Sequence, residues 1–326
     1  MKSLVNQLVI VSPALSDANN GNWQTAKRWA RLLSDTYRTR IVQHWPDSDT
    51  KSFTPNHASD TVLLALHARR SADSVTAWHA QKGSSGLVVA LTGTDLYRDI
   101  RTDASAKRSL QLAEKLIVLQ PLGLNELPPE HRAKAHVVLQ STTSRKTLHK
   151  TSRHLRAVMV GHLRDEKSPQ TLFAAARLVA SDDGVLIEHI GAGLDENLAQ
   201  DAIKTGAACA HYTWLGALKH PQTRAKIQRA HVLVHASKME GGAHVVMEAV
   251  CSGTPVIASR IDGNVGMLGA DYDGYFALGD AQALADMLRL CQNDRAFLGH
   301  LSAQCALRAP LFAPQAELKA LLQVLS

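Results

Sequence analysis

Short apolar segments rich in β-branched residues recur along the chain, and stretches with helical periodicity separate many of them. The alternation begins near residue 8, pauses in a basic stretch near residue 150, and then starts again. Strands that alternate with helices are typical of βαβ units, whose strands lie parallel in one sheet. Two such series predict two doubly wound α/β domains, whose ligands bind at the carboxyl ends of the strands and face one cleft.

The predicted elements fix the expected domain limits. Predicted strands occupy 8–11, 62–66, 87–91, 116–119, 137–139, 157–160, 185–190, 212–214, 232–235 and 256–259. Predicted helices occupy 23–34, 169–180, 196–204, 221–230 and 243–251. We therefore expect an N-terminal domain over 1–145, a basic linker over 146–156, a C-terminal domain over 157–309 and a terminal helix over 310–326.

Composition narrows the class of protein. The chain has 326 residues and a net charge of +7, and no apolar run approaches the roughly 18 residues that cross a membrane. The first residues show no secretion signal, so we expect a cytoplasmic protein without a membrane partner. Cys209, Cys251, Cys291 and Cys305 lack the spacing of a metal or redox motif, and we expect no metal site and no disulfide.

The positive charge has two interpretations. A basic protein can bind nucleic acid, but aromatic residues make up only 5% of this chain and no nucleic-acid-binding motif is recognisable. Small phosphorylated ligands explain the charge equally well, because a positive rim steers anions into a cleft. We therefore expect small-molecule substrates and no nucleic-acid partner.

The segment from Glu240 to Glu248 is the most informative in the chain. It follows a predicted strand, and Gly241 and Gly242 allow the backbone to approach a ligand at the strand-to-helix turn. The N–H groups that open the following helix favour a diphosphate. Two carboxylates eight residues apart can address different parts of one long ligand.

A second cluster follows the predicted strand 157–160. Arg164 and Lys167 lie three residues apart after Gly161, so both can reach one anion. Arginine offers a bidentate fork and lysine a point charge. Alone, two cations before a helix are more often an ordinary solvated surface.

Three sites at predicted strand ends of the first domain carry weaker signals. Asn20, Gly21 and Asn22 lie between the first strand and helix; Gly21 permits positive φ or a close approach, and Asn22 is a fair N-cap. His67 follows one strand, and Thr92, Gly93, Thr94 and Asp95 follow another. Asp95 has an alternative interpretation as a cap of the next helix. No dinucleotide fingerprint or P-loop is present.

These motifs together resemble the family 4 retaining glycosyltransferases of GT-B fold. E-G-G-A-H-V-V-M-E is similar to their E-x7-E signature, and G-H-L-R-D-E-K to their phosphate-binding Arg/Lys motif. G-T-P-V-I-A-S and T-G-T-D resemble two further family segments, with Thr92 in place of the usual histidine. The resemblance implies two Rossmann-like domains and a nucleotide-sugar donor.

The resemblance also implies residue roles. The catalytic set would be Glu240, Arg164, Lys167 and Asp95. Within the donor site, Arg164 and Lys167 would bind the diphosphate, Glu248 the ribose hydroxyls, and the backbone near Leu215 the uracil. The residues of the donor site would be Gly21, Arg164, Lys167, Leu215, Gly241, Gly242, Ala243, His244, Val245 and Glu248. Acceptor binding would use Asn20, Asn22, His67, Thr92, Gly93, Thr94 and Asp95.

More narrowly, N-N-G-N-W-Q-T-A, L-T-G-T-D-L-Y and K-M-E-G-G-A-H-V-V-M-E-A resemble the selenosugar synthases of selenoneine biosynthesis. That implies transfer of N-acetylglucosamine or glucose from a UDP-sugar to selenophosphate, without a cofactor. Selenophosphate is already anionic, so no strong base is needed, which suits Thr92 in the histidine position. Alternatives are a glycosyltransferase with a hydroxyl acceptor, a related epimerase or phosphorylase, a nucleotide-sugar sensor and a nucleic-acid-binding protein.

Overall fold

The computed structural model describes residues 6–14, 21–47 and 59–326. The chain forms two compact units, one made of residues 1–140 and 314–326 and the other of residues 141–313. The division thus falls at residue 140, five residues before the predicted limit, and the end of the chain returns to the N-terminal unit. The predicted linker 146–156 overlaps the first strand of the second unit, which begins at Leu155.

The N-terminal unit contains a parallel sheet. Its strands are β1 (Gln7–Val11), β2 (Arg38–Val42), β3 (Asp60–Leu66), β4 (Leu87–Leu91), β5 (Lys115–Val118) and β6 (Ala135–Val137). Among the described residues their order across the sheet is β2-β1-β3-β4-β5-β6. Side chains of β3 alternate between two apolar cores, with Leu63 and Ala65 in one and Leu64 and Leu66 in the other. Burial on both faces explains why this strand reads as a continuous apolar run.

Helices cover this sheet. They are α1 (Gly21–Leu32), α2 (Ala72–Lys82), α3 (Ile100–Thr102), α4 (Ala104–Leu112), α5 (Gly123–Glu126), α6 (Pro129–Arg132) and α14 (Pro314–Leu325), with a π-helical turn over Asp95–Asp99. The helix α1 begins at Gly21, so the prediction that Asn22 caps it is wrong. Gly21 does not have positive φ. Asn20 lies outside the described residues.

One strand of this sheet has no counterpart in the predictions. β2 carries the sequence R-T-R-I-V and is mostly half-buried or exposed, because it forms the edge of the sheet beyond β1. Its polar side chains obscure the apolar run that marks the central strands. The last strand, β6, lies two residues earlier than predicted, over Ala135–Val137.

A buried carboxylate joins α14 to α1. Glu317 has no solvent exposure; it accepts hydrogen bonds from Trp29 Nε1 at 2.5 Å and from Arg28 Nε at 2.9 Å. Leu321 and Val324 of the same helix are buried in the core against α1. The C-terminal helix is therefore an integral part of the N-terminal unit.

We expect Glu317→Gln to destabilise the N-terminal unit by about 1–2 kcal/mol, because a charge-assisted bond to Arg28 becomes a neutral one while the shape is kept. Urea denaturation followed by tryptophan fluorescence measures this, since four of the five tryptophans (23, 29, 45 and 78) precede residue 140. Gln315→Glu, at an outer position of the same helix, is the control. An unchanged midpoint for Glu317→Gln would contradict the anchoring role.

The C-terminal unit contains the second parallel sheet. Its strands are β7 (Leu155–Val160), β8 (Val185–Ile190), β9 (Tyr212–Trp214), β10 (Val232–His235), β11 (Val256–Ser259) and β12 (Tyr275–Phe276). Among the described residues their order is β12-β11-β10-β7-β8-β9. Its helices are α7 (Pro169–Leu178), α8 (Glu196–Ala208), α9 (His220–Arg229), α10 (His244–Val250), α11 (Asp262–Leu268), α12 (Ala281–Asn293) and α13 (Arg295–Arg308), with 3-10 turns over Asp165–Lys167 and Ala309–Phe312.

Local signals set several helix limits in this unit. Pro169 is the first residue of α7, as the predicted helix over 169–180 requires, and Ser168 is its N-cap in a left-handed conformation with φ +48°. The helix α9 begins at His220, one residue before the proline that marked its predicted start. Gly253 has φ +67°, and a side chain there would collide with Thr147, so glycine is required at this turn.

The four cysteines are buried free thiols. Within the described ranges, no helix combines the length and apolar character needed to cross a membrane.

Candidate functional site

The sheet order of the C-terminal unit defines where a ligand can bind. The chain runs from β7 outward to β8 and β9, then returns to place β10 on the other side of β7. In open parallel sheets this change of direction leaves a crevice at the carboxyl ends of the two central strands. Here the crevice lies between the loop after β7, which holds Arg164 and Lys167, and the loop after β10, which holds Glu240.

The two loops meet through an ion pair. Lys167 Nζ donates to Glu240 Oε1, and His235 Nε2 lies 3.4 Å from the same oxygen. Burial alone would raise the pKa of Glu240, but Lys167 and His235 outweigh it and hold that pKa far below its usual range. Glu240 is therefore a carboxylate at neutral pH and accepts hydrogen bonds rather than donating a proton.

Glycines make this close arrangement possible. A side chain at Gly263, in α11, would collide with the backbone oxygen of Glu240, and one at Gly191 would collide with the oxygen of Gly161. Both glycines allow the strand-end loops to approach each other more closely than any other residue would permit. The loops are further tied by the N–H of Lys238, which donates to Glu166 O at 2.9 Å.

Arg164 differs from its neighbour Lys167. Its side chain is 50% exposed, and its carboxylate contact, Glu166, is 4.0 Å away. Such a weak exposed contact leaves the guanidinium able to bind an incoming anion. Lys167, at 18% exposure, is instead engaged with Glu240.

Glu248 lies on α10, eight residues beyond Glu240 along the chain and one turn into the helix. Its side chain is 7% exposed; Oε1 lies 2.6 Å from His220 Nε2 and 3.8 Å from Arg224 Nε. Arg224 is buried, and its guanidinium also donates to Thr142 Oγ1 and Thr143 O. A carboxylate held between two nitrogens is fixed in orientation, and only the His220 side is half exposed.

The remaining predicted donor residues of the C-terminal unit also follow the carboxyl ends of its strands, whereas Gly21 lies in the N-terminal unit. Gly241, Gly242 and Ala243 lead into α10, where the N–H of Ala243 donates to Met267 Sδ; His244 and Val245 are the first two helical residues. Leu215 follows β9, and its N–H donates to His189 O. Gly216, with φ +65°, reverses the chain at that point.

The N-terminal sheet has its own change of direction, between β1 and β3. His67 directly follows β3 there, is 3% exposed, and adopts φ +75°, a conformation that costs energy for any residue but glycine. Its Nε2 lies 3.1 Å from Thr94 Oγ1, while the N–H of Arg70 donates to Nδ1. Burial lowers the pKa of His67. The ring is therefore neutral, with Nδ1 accepting and Nε2–H donating to Thr94.

Asp95 holds this loop together. Its carboxylate has no solvent exposure and accepts hydrogen bonds from the backbone N–H groups of Ala68, Thr92 and Gly93. These bonds occupy both carboxylate oxygens, so Asp95 stabilises the conformation of the loop from Thr92 to Thr94. Its catalytic role stays a prediction.

Some of the basic residues that follow these strand ends are paired with carboxylates, and others remain able to bind an anion. Arg69 and Arg98 both donate to Asp99, at 2.7 and 3.1 Å, and Arg101 pairs with Glu126. Arg70 is exposed, and its charge acts on His67 next to it. Arg70 is therefore the cation at this sheet edge most available for an anion.

The sequence predictions missed His220, Arg224 and His235. In the sequence, His220 is only the residue before the first position of the predicted helix 221–230, and His235 is the last residue of the predicted strand 232–235. No local signal marks His220 and Arg224, since the carboxylate that they approach, Glu248, lies on another helix; His235 lies only five residues before Glu240, but at the buried end of a strand. In the described parts of the chain, no group of three or more His, Cys, Asp or Glu side chains could hold a metal ion.

Comparison with family models identifies the chain. Residues 140–306, about half of the chain, match the model of the family described as Glycosyl transferases group 1. The chain belongs to this family. A search of curated proteins gave no match. The matched region includes Arg164, Lys167, Glu240 and Glu248, which follow the carboxyl ends of β7 and β10.

Solved structures of low sequence identity share the fold. Anabaena HepE, solved with UDP and glucose, is 13% identical with a TM-score of 0.75, and the match covers 98% of this chain and 99% of HepE. Sucrose-phosphate synthase from Thermosynechococcus elongatus is 16% identical with a TM-score of 0.74, at 98% coverage of both chains. A variant of S. aureus TarM is 14% identical with a TM-score of 0.65; the match covers 81% of this chain but only 55% of TarM. The predicted α/β fold of two parallel-sheet units is confirmed.

Proposed function

We propose that this glycosyltransferase transfers a sugar from a UDP-sugar to selenophosphate and so forms a carbon–selenium bond. The observation that supports the UDP-sugar donor is the contact of Lys167 with Glu240 at the carboxyl ends of the two central strands, with the exposed Arg164 in the same loop as Lys167. Support also comes from HepE, which shares the fold and was solved with UDP-glucose bound. The donor sugar would be N-acetylglucosamine or glucose, and no cofactor is required.

The crevice provides the charges that a departing UDP requires. The diphosphate would bind the exposed guanidinium of Arg164 and the ammonium of Lys167, which would then be shared with Glu240. Cations placed where negative charge develops are commonly the largest contribution to catalysis. Glu248 would accept hydrogen bonds from the ribose hydroxyls on its exposed side, displacing His220. Glu240, being ionised, would orient the sugar.

The acceptor half depends on the edge of the N-terminal sheet. The neutral His67 donates its Nε2 proton to Thr94, so it offers no free base for a hydroxyl acceptor. Selenophosphate needs none, because its selenium is already anionic. Arg70 would bind its phosphate group beside Thr92 to Thr94. This combination of an available cation and an occupied histidine favours an anionic nucleophile over an alcohol.

The proposed reaction balances in two steps. Selenium attacks the anomeric carbon, the bond from that carbon to the diphosphate oxygen breaks, and UDP leaves with the electron pair. The product is an Se-glycosyl selenophosphate. Water then attacks phosphorus, the P–Se bond breaks, and a 1-selenosugar and inorganic phosphate are released.

Anaerobic incubation with selenophosphate and UDP-sugars tests the proposal. We expect UDP and a selenosugar by mass spectrometry, and we expect Arg70→Ala to raise the KM for selenophosphate about tenfold or more, since one charge-assisted bond contributes about 1.5–3 kcal/mol. Arg108→Ala, an exposed arginine on α4, is the matched control. UDP release that ignores selenophosphate but responds to a hydroxyl acceptor would overturn the acceptor assignment and leave the donor site standing.

A further inference from the structure

A second cavity lies at the opposite edge of the C-terminal sheet, where the strands begin. It has a volume of about 260 Å³. Its lining includes His231, which directly precedes β10, and Pro255, which directly precedes β11. Residues 147–152, in the loop that leads to β7, also contribute to the lining. Helix α13 closes the cavity with Arg295, Leu298 and Ser302. The crevice that holds Arg164 and Glu240 is at the other ends of these strands.

Lys150 is the central charge of this cavity. It is largely buried, and its ammonium donates to Gly253 O at 3.3 Å and to Thr254 Oγ1 at 3.1 Å. Both partners are neutral, and an ammonium has three N–H donors, so one remains for another acceptor. Burying a charge with neutral partners is costly, and that cost is offset when an anion binds beside it.

The other polar groups of the cavity match such an anion. Arg295 donates to Ser152 O at 2.8 Å and to Gln292 Oε1, again without a carboxylate. Hydroxyls of Thr147, Thr151, Ser152 and Ser302 also line the cavity. The acid next in the chain, Asp294, is committed to capping α13 through the N–H of Phe297.

We propose that this cavity is a binding site for a small tetrahedral oxyanion of the phosphate type, held by Lys150 and Arg295. A volume of about 260 Å³ accommodates an ion the size of inorganic phosphate, and the charges of Lys150 and Arg295 favour an anion. The site is separate from the donor crevice and independent of the proposed acceptor.

Binding at this site depends on pH in a defined direction. Burial lowers the pKa of Lys150 to about 8. The neighbouring groups are Arg295 on α13 and the histidines His231 and His154, whose rings lie 6.2 Å apart; burial also lowers the pKa of His231. The anion prefers the ammonium form, so affinity is retained below pH 8 and lost above it.

Isothermal titration calorimetry of the full chain with sulfate tests this, because sulfate stays a dianion across the range. We expect about tenfold weaker binding at pH 9 than at pH 7, which is the fall in the protonated fraction of a group with a pKa of about 8. Lys150→Met should weaken binding at pH 7 by at least tenfold and remove the pH dependence. Arg295→Gln, at an exposed residue, should also weaken sulfate binding. This variant tests the site if Lys150→Met does not fold.

Two comparisons distinguish a free anion from a sugar phosphate, and this cavity from the donor crevice. Inorganic phosphate should bind like sulfate, and glucose 6-phosphate no more tightly, because the charged groups of the cavity would contact only its phosphate; tighter binding of glucose 6-phosphate would overturn the assignment to a free ion. Arg164→Gln should leave sulfate affinity unchanged. Binding lost in Arg164→Gln but kept in Lys150→Met and Arg295→Gln would place the anion in the donor crevice and overturn the proposal.

Discussion

Lys167→Met is expected to lower kcat by about 10²–10³-fold, which is typical for removing one preorganised charge from a transition state. It should also destabilise the C-terminal unit, because Glu240, at 12% exposure, loses its cationic partner. Breaking a buried pair costs about 3–5 kcal/mol, and this pair is partly open to solvent, so we expect about 2–3 kcal/mol. Steady-state kinetics and urea denaturation measure the two effects.

A second substitution separates the two effects. Glu240→Gln added to Lys167→Met should restore most of the stability, because no uncompensated carboxylate remains, but it should not restore kcat. Lys226→Met is the matched control, since Lys226 pairs with Glu188 elsewhere in the same unit at 35% exposure. It should leave kcat unchanged and cost less than about 1 kcal/mol. Recovery of kcat in the double variant would contradict a direct role for Lys167.

The pH dependence of this pair has a defined sign. The folded-state pKa of Glu240 lies below its unfolded value of about 4.3, so its contribution to stability is present above that pH and is lost as the pH falls below it. The acid-induced loss of stability near pH 4 should therefore be reduced in the Glu240→Gln, Lys167→Met double variant.

Arg164→Ala is expected to lower kcat by about 10²-fold without changing thermal stability. The side chain is half exposed and makes one carboxylate contact at 4.0 Å, so its removal costs the folded protein almost nothing. Its loss would be felt when the diphosphate leaves. Steady-state kinetics and a thermal melt check both halves of this expectation.

Arg229→Ala provides the control for this substitution. Arg229 is an exposed arginine at the end of α9, away from the carboxyl ends of the strands. It should change neither kcat nor the melting temperature. A wild-type kcat in Arg164→Ala would remove the arginine from the proposed donor site.

Much of the fold follows from local sequence because central parallel strands are buried on both faces. The predicted limits of β4, β8, β9, β10 and β11 agree with the structure residue for residue. The edge strand β2 escaped prediction because its side chains are half exposed and polar. The terminal helix α14 was predicted as a helix, but its attachment to α1 was not, since Glu317 contacts Trp29 across 288 positions of the chain.

The candidate site was predictable in its positions but not in its contacts. Glycine-rich strand ends located Arg164, Lys167, Glu240 and Glu248, because parallel strands bring their carboxyl ends to one edge. The pairing of Lys167 with Glu240 spans 73 positions and depends on the sheet order. The contact of His220 with Glu248 was not predicted either, because it also depends on which elements lie side by side in the fold. Asp95 is the opposite case: its motif predicts a functional side chain, and the structure shows a buried carboxylate that accepts hydrogen bonds from backbone N–H groups.

A crystal structure of the chain with UDP tests the donor site most directly. We predict that diphosphate oxygens lie within hydrogen-bonding distance of Arg164 and Lys167, and that the ribose hydroxyls contact Glu248 with His220 displaced. UDP bound elsewhere on the protein, with the Lys167–Glu240 and His220–Glu248 contacts undisturbed, would contradict the proposed site.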